Sequence, residues 1–285
     1  MKDKILVLGA SGLIGRYVYD ELKDRGKEVI GTYHSNKKEG LIKFDIAFDD
    51  ISEIDLNDVK YGIICSGIAK IELADNEYGR KVNYYGIEKV IDKFFENNII
   101  PVYVSGAVVF DGYGNENEFN LRFPLNPYGL QKRSVENILI SSQKDFLIIR
   151  SGKIYGVNEN EGIFSDWIKK YRNNEEILCA SDEILSLTYA KDFAKGINLL
   201  IDMKKTDKYH IDSGIHKSRL DFAREFFNYL AIHDAKIKEC KIQDLNFKEN
   251  RSKNTFLNSD KFLTQTGFIF AKIEDSYYQL RKLLI

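Results

Sequence analysis

The chain has 285 residues, enough to bury one large core or two lobes. Its 42 basic and 43 acidic side chains leave a net charge of −1, so bulk charge draws it neither to nucleic acid nor to a membrane surface. No run of about 18 apolar residues occurs, which excludes a membrane-spanning helix, and three widely spaced cysteines (Cys65, Cys179, Cys240) fit a reducing cytoplasm and exclude a zinc knuckle.

The first strand begins by Lys4, so no room for a targeting peptide is expected ahead of it. Residues Ile5 to Gly15 read ILVLGASGLIG: an apolar strand, then Gly9, Gly12 and Gly15, then an amphipathic run to Arg25. That layout suits a dinucleotide. One glycine allows the tight reversal, one lets backbone approach a pyrophosphate, and one lets the helix pack close on the sheet with its amides facing the phosphates. The expected cradle is Gly9, Ser11, Gly12, Leu13, Ile14 and Gly15.

Further strands are predicted at Val29–Thr32, Leu41–Phe44, Tyr61–Ser66, Pro101–Ser105 and Phe146–Arg150. Helical periodicity fills Leu13–Arg25, Tyr78–Asn97 and Tyr128–Ser141, with a shorter segment at Asp49–Leu56. Near-continuous apolar strands alternating with helices imply a doubly wound, Rossmann-type parallel α/β sheet. Residues 1–152 form this nucleotide-binding domain, rejoined by about 184–205, and 153–285 are expected to be mainly a smaller substrate-binding lobe. In that lobe Leu220–Leu230 and Ser276–Leu284 read as helices, Ile237–Ile242 as a strand, and Trp167 as packing. The cleft between the lobes, at the carboxyl ends of the strands, is where a ligand belongs.

Tyr128 and Lys132 stand four residues apart, on one face of a helix that opens after Pro124-Leu-Asn-Pro127. An ammonium there can lower the phenol's pKa and let the tyrosine protonate a carbonyl oxygen as hydride arrives. Tyr19/Lys23, Tyr33/Lys37, Tyr85/Lys89 and Tyr278/Lys282 share the spacing, so context selects Tyr128. Histidines 34, 210, 216 and 233 are scattered, and no metal is predicted. Cys65 reads as a small core residue at a strand end.

The G-x-x-G-x-x-G spacing resembles the short-chain dehydrogenase/reductase superfamily. Tyr103-Val-Ser-Gly-Ala-Val-Val-Phe-Asp-Gly112, followed by Pro124-Leu-Asn-Pro-Tyr-Gly-Leu-Gln-Lys132 and Glu136, is similar to its extended members that act on nucleotide sugars, with the pattern of the dTDP-4-dehydrorhamnose reductase family. The resemblance runs from Lys4 to about Leu283. It implies Tyr128 as the acid, with Lys132 lowering its pKa and holding the nicotinamide ribose. It implies contacts to adenine near Asp45 and Ile46, and a cofactor-facing loop at Cys65, Ser66 and Gly67. Asn83 is either the family's helix-kink residue or a local hydrogen-bonder. One position departs: the family's hydroxyl donor is replaced by Gly106, and its following aspartate by Ala107. Ser105 supplies the hydroxyl only if its strand has already turned. Gly106 itself either leaves the donor missing, sits at positive φ, or leaves room for substrate.

The second strand ends in Thr32-Tyr-His-Ser-Asn-Lys-Lys38, without an acid for the ribose hydroxyls and with His34, Lys37 and Lys38 as partners for a 2′-phosphate. NADP(H) is therefore expected, NAD(H) being the other option. The implied activity is NADP(H)-dependent reduction of a 4-keto-6-deoxy nucleotide sugar. The alternatives are an epimerase or dehydratase holding NAD tightly, and a non-catalytic NADP-binding subunit like the relative that regulates methionine adenosyltransferase. The expected partner is a nucleotide-sugar substrate, with homodimerisation left open and neither nucleic acid nor membrane involved.

Overall fold

The computed structural model describes residues 3–158, 162–245 and 247–284. In chain order the elements are β1 (Lys4–Leu8), α1 (Leu13–Asp24), β2 (Glu28–Tyr33), β3 (Ile42–Lys43), β4 (Val59–Ile64), α2 (Ile71–Ala74), α3 (Glu77–Arg80), α4 (Gly86–Glu96), β5 (Ile100–Val104), α5 (Pro127–Ser141) and β6 (Leu147–Arg150). There follow β7 (Lys153–Tyr155), α6 (Ile163–Arg172), β8 (Ile177–Ala180), β9 (Ile184–Tyr189), α7 (Ala190–Asp202), β10 (Asp207–His210), β11 (His216–Ser218), α8 (Arg219–Tyr229), β12 (Ile237–Cys240), α9 (Asp260–Thr266) and α10 (Ile273–Leu284).

Seven strands pair in parallel in the order β10-β6-β5-β4-β1-β2-β3. The central strands are apolar on both faces because both are covered. On one side Val18 and Leu22 of α1 and Phe193, Ile197 and Leu200 of α7 bury against Ile5, Val7, Ile63 and Val102. On the other, Ile87, Val90 and Phe94 of α4 and Val135 and Leu139 of α5 bury against Leu6, Leu8, Ile64 and Tyr103. The chain leaves β1 toward β2 on one side and returns through β4 on the other. The carboxyl ends of β1 and β4 therefore flank the crevice where such a sheet holds ligands.

The rest of the chain builds two small sheets, β11-β9-β7 and β12-β8, around an aromatic core. Phe164, Trp167, Phe226, Phe227 and Tyr277 are buried there, and Phe164 meets Tyr277 edge-on at 5.2 Å between centroids. Trp167 is thus packing, as expected from its amphipathic run.

The predicted elements differ from the structure in four places. Leu41–Phe44 contracts to the two-residue β3, and Asp49–Leu56 is a single 3-10 turn, Ile51–Glu53, whose cap Asp50 accepts from the Ser52 amide at 2.9 Å. The helix over Tyr78–Asn97 is interrupted by a π-turn at Lys81–Tyr85. Strand Ile237–Ile242 stops at Cys240.

One buried cluster joins α5 to the sheet. Arg150 donates from Nε and Nη2 to the two oxygens of Glu136, each at 2.8 Å, and Arg122 Nη1 adds a third bond at 2.7 Å. Arg150 Nη1 also lies 3.1 Å from His210 Nε2. Because a guanidinium only donates, Nε2 accepts, and Nδ1 carries the proton toward the Asn258 carbonyl 3.1 Å away. Glu136, Arg150 and His210 are at most 1% exposed. Burial and Arg150 push His210 down to about 3, while the Arg150 hydrogen bonds and charge hold the Glu136 carboxyl below its ordinary value of 4.5 despite burial.

Both shifts have one sign. Below pH 6.5 the unfolded chain protonates His210 and the folded chain does not, and below 4.5 the same holds for Glu136, so stability falls as pH drops. The melting temperature of the wild type should decline from pH 6.5 downward. Glu136→Ala, which leaves Arg150 buried without its counter-charge, should cost about 3–5 kcal/mol at neutral pH in denaturant titration. A variant as stable as the wild type would show that the pair does not hold α5 in place.

Candidate active site

β1 runs into Gly9 at a φ of 79°, and the Gly9 amide donates to Thr32 Oγ1 at 3.0 Å, locking the turn to the end of β2. A Cβ at Gly15 would lie 2.1 Å from the Gly9 carbonyl oxygen, so only glycine lets the first turn of α1 sit this close to the strand end. No side chain caps α1, whose first amides at Leu13, Ile14 and Gly15 stay available to an anion.

Beside this turn lies a cavity of about 380 Å³, bordered by Gly9, Ser11 and Gly12, by His34 and Asn36, by Asp45 and Ile46, and by Cys65, Ser66 and Gly67. The structure thus brings those predicted residues together. Lys37 and Lys38 stand outside its lining. His34 Nε2 is 3.2 Å from Asp45 Oδ2, so the acid missing from the end of β2 is supplied from beyond β3. Tyr78, which sequence reasoning did not select, donates to Asp45 at 3.3 Å and stacks on Phe48 at 6.0 Å. Asn83 sits in the π-turn. Its Oδ1 accepts from the Ile68 amide at 2.8 Å, and its Nδ2 donates to the Ile68 carbonyl at 3.1 Å and to Gln131 Oε1 at 2.9 Å. It therefore ties the loop after β4 to α5, beyond a local helix bond.

Gly12, Cys65 and Gly67 also border a second cavity of about 480 Å³, which reaches Gly106, Tyr128, Lys132 and the small lobe. Tyr128 is aimed there by the start of α5: Asn126 caps the helix by accepting from the Gly129 amide at 2.9 Å, and Pro127 opens its first turn. Lys132 is 9% exposed and donates to the Val104 carbonyl at 2.9 Å and to Tyr103 Oη at 3.5 Å, with its ammonium 5.3 Å from the centre of the Tyr128 ring. Burial pushes the Lys132 ammonium down to about 8, partly offset by Glu136. The expectation that this ammonium lowers the phenol does not hold here: burial dominates and raises Tyr128 well above its ordinary range. Burial likewise pushes the Cys65 thiol up to about 12, which suits a core residue and no nucleophile.

Gly106 has a φ of −176°, ordinary extended backbone, so the positive-φ explanation for its glycine is set aside. A Cβ there would meet only the Ser151 carbonyl at 3.5 Å and Val108 Cγ1 at 3.6 Å. Ser105 still pairs with β6 through its amide and the Ile149 carbonyl, 2.8 Å away, and the chain turns only at Ala107–Val109. Its hydroxyl is buried with no hydrogen-bond partner among the described residues, and Ser105 lines the same cavity as Gly106, Tyr128 and Lys132.

The small lobe adds Lys153, Glu183, Arg219 and Arg251 to the cavity wall, none of them singled out in the sequence. Lys153, Glu183 and Arg251 come from a short strand and loops and Arg219 opens α8, with no telling spacing among them. Among the described residues no group of three His, Cys, Asp or Glu side chains could hold a metal, and no helix is long and apolar enough to cross a membrane. The uncapped helix start, the glycine turn that no Cβ could enter and the two joined cavities fit a nicotinamide dinucleotide with room for a second ligand at its reactive end.

Comparison with known proteins agrees with this geometry. A dTDP-4-dehydrorhamnose reductase of Aggregatibacter actinomycetemcomitans is 27% identical over 195 residues, 67% of this chain and 65% of that protein's length. The structure of a dTDP-4-dehydrorhamnose reductase from Bacillus anthracis in complex with NADP superposes with a TM-score of 0.84 at 23% identity, covering 98% of this chain and 99% of the other. A UDP-glucuronic acid 4-epimerase from Bacillus cereus, in complex with UDP-glucuronic acid and NAD, superposes with a TM-score of 0.84 at 19% identity over 99% and 98% of the two chains. The family model described as the RmlD substrate binding domain matches residues 2–282, and the chain belongs to that family.

Proposed function

We propose that the protein is an NADP(H)-dependent reductase of a 4-keto-6-deoxy nucleotide sugar. The observation that carries this reading is the placing of Tyr128 and Lys132, one helical turn apart, on a cavity continuous with the dinucleotide turn. Bound along that turn, NADPH supplies the hydride. Tyr128 gives its phenolic proton to the carbonyl oxygen, and its raised pKa keeps that proton in place across the neutral range until charge develops on the acceptor. Lys132, held at the end of β5 by Val104, keeps a positive charge beside the phenol below about pH 8 and stabilises the phenolate left after transfer. His34 on the cavity wall and the exposed Lys37, three residues on and outside that wall, are the partners for a 2′-phosphate, although Asp45 beside His34 works against it.

A second reading, a binding subunit without turnover, is favoured by one observation. The oxygen-stabilising hydroxyl of the resembled pattern is absent at Gly106. Loss of such a donor typically costs about 10²–10³ in rate, which slows a reductase without abolishing it.

With a 4-keto-6-deoxy nucleotide sugar, Tyr128→Phe should lower kcat by about 10²–10⁴, while titration gives an unchanged NADPH affinity that exceeds the NADH affinity by about tenfold or more. Unchanged turnover would reject Tyr128 as the acid, and equal cofactor affinities would reject the NADP(H) preference. Gly106→Ser should keep the wild-type melting temperature, because the added Cβ meets nothing closer than 3.5 Å, and should hold or raise NADPH consumption. If wild type and variant both bind cofactor and nucleotide sugar yet consume no NADPH, the binding-subunit reading replaces the reductase.

A further inference from the structure

Five charged residues line the 480 Å³ cavity: the cations Lys132, Lys153, Arg219 and Arg251 against the one acid Glu183. That acid is already engaged. Arg219, the first residue of α8, grips Glu183 through both Nε and Nη2, the latter at 2.9 Å, and its amide donates to the Glu183 carbonyl at 2.9 Å. Arg251 Nη2 donates to Glu72 at 2.7 Å, and Lys132 is held by Val104. Lys153, at the start of β7, differs from all three: its side chain has, among the described residues, no hydrogen bond and no ion pair within 4 Å, and it is exposed to the cavity. It stands two residues beyond Ser151, whose carbonyl lies against Gly106, and so borders the reacting end of the cleft.

Resting on the reductase reading above, we propose that Lys153 is the counter-charge for an anionic oxygen of the nucleotide-linked substrate. A lone cation in a cavity already rich in positive charge is a poor arrangement unless a ligand brings the missing anion. The anion has two sources to separate, the diphosphate that links nucleoside to sugar, which a 4-keto-6-deoxy nucleotide sugar carries, and a carboxylate on the sugar ring, which it lacks. Both present an oxygen that a single ammonium can meet.

The test is calorimetric titration of the NADP⁺-saturated protein with UDP, dTDP, their glucose conjugates and UDP-glucuronic acid, using wild type, Lys153→Met and Lys153→Arg. Lys153→Met should fold with the wild-type melting temperature, since it breaks no contact, and should weaken binding by about 10- to 100-fold, with Lys153→Arg recovering most of the loss. A full loss already with the bare nucleoside diphosphates assigns the pairing to the diphosphate, and a loss confined to UDP-glucuronic acid assigns it to a sugar carboxylate and overturns the 6-deoxy substrate of the reductase reading. Equal affinities of wild type and Lys153→Met for every probe overturn the role of Lys153 and leave the reductase reading standing. No binding of any probe to the wild type overturns both.

Discussion

The buried bond between Glu136 and Arg150 is the constraint on which the rest of the site depends. It crosses from α5 to β6 with two parallel hydrogen bonds of 2.8 Å, in surroundings that leave the carboxylate without exposure. An ion pair taken out of water gains little over apolar packing, yet losing one partner strands the other, so the two elements can hardly move apart or rotate independently. One turn before Glu136 on the same helix stands Lys132, and one turn before that, Tyr128. The angle at which both enter the cleft is therefore set by a contact on the far side of the reacting atoms. Glu136 also reaches the site electrostatically, opposing the burial that lowers Lys132.

Around this fixed helix the chain divides its labour. The parallel sheet supplies the dinucleotide turn between β1 and α1 and the loop after β4, which Asn83 and Gln131 fasten to α5. The small lobe, built on an aromatic core with its own sheets, contributes charge to the other wall of the same cavity. The sheet side carries groups suited to a cofactor and a proton, and the lobe side carries groups suited to telling one second ligand from another.

Legibility followed the range of the interactions. The glycine turn could be read because one local rule, close backbone approach with a helix start, fixes all three glycines at once, and Gly15 against the Gly9 carbonyl is that rule in atoms. The central strands were legible from their unbroken apolar runs. The short strands β7, β8, β9 and β11 were not, because three to six residues cannot display a period. The break in the helix at Lys81–Tyr85 depends on Asn83 bonding to Ile68 and Gln131, partners 15 and 48 residues away, and no periodicity contains them. Tyr128 and Lys132 needed their context, since four other pairs share the spacing. Ser105 shows the limit of motif reasoning: β5 ends at Val104 while the Ser105 amide still bonds the Ile149 carbonyl, and no motif tells where its hydroxyl then lies. Lys153 left no signal, because what marks it is that its side chain has no partner among the described residues.

The central claim is that hydride passes to a sugar carbon in this cleft while Tyr128 supplies the proton, despite the glycine at position 106. Its most direct test is to incubate the protein with a 4-keto-6-deoxy nucleotide sugar and NADPH carrying deuterium at the transferable nicotinamide position, and to examine the product by NMR. The account predicts one deuterium on the former keto carbon. Recovery of the unlabelled ketosugar, with both ligands shown to be bound, would contradict it.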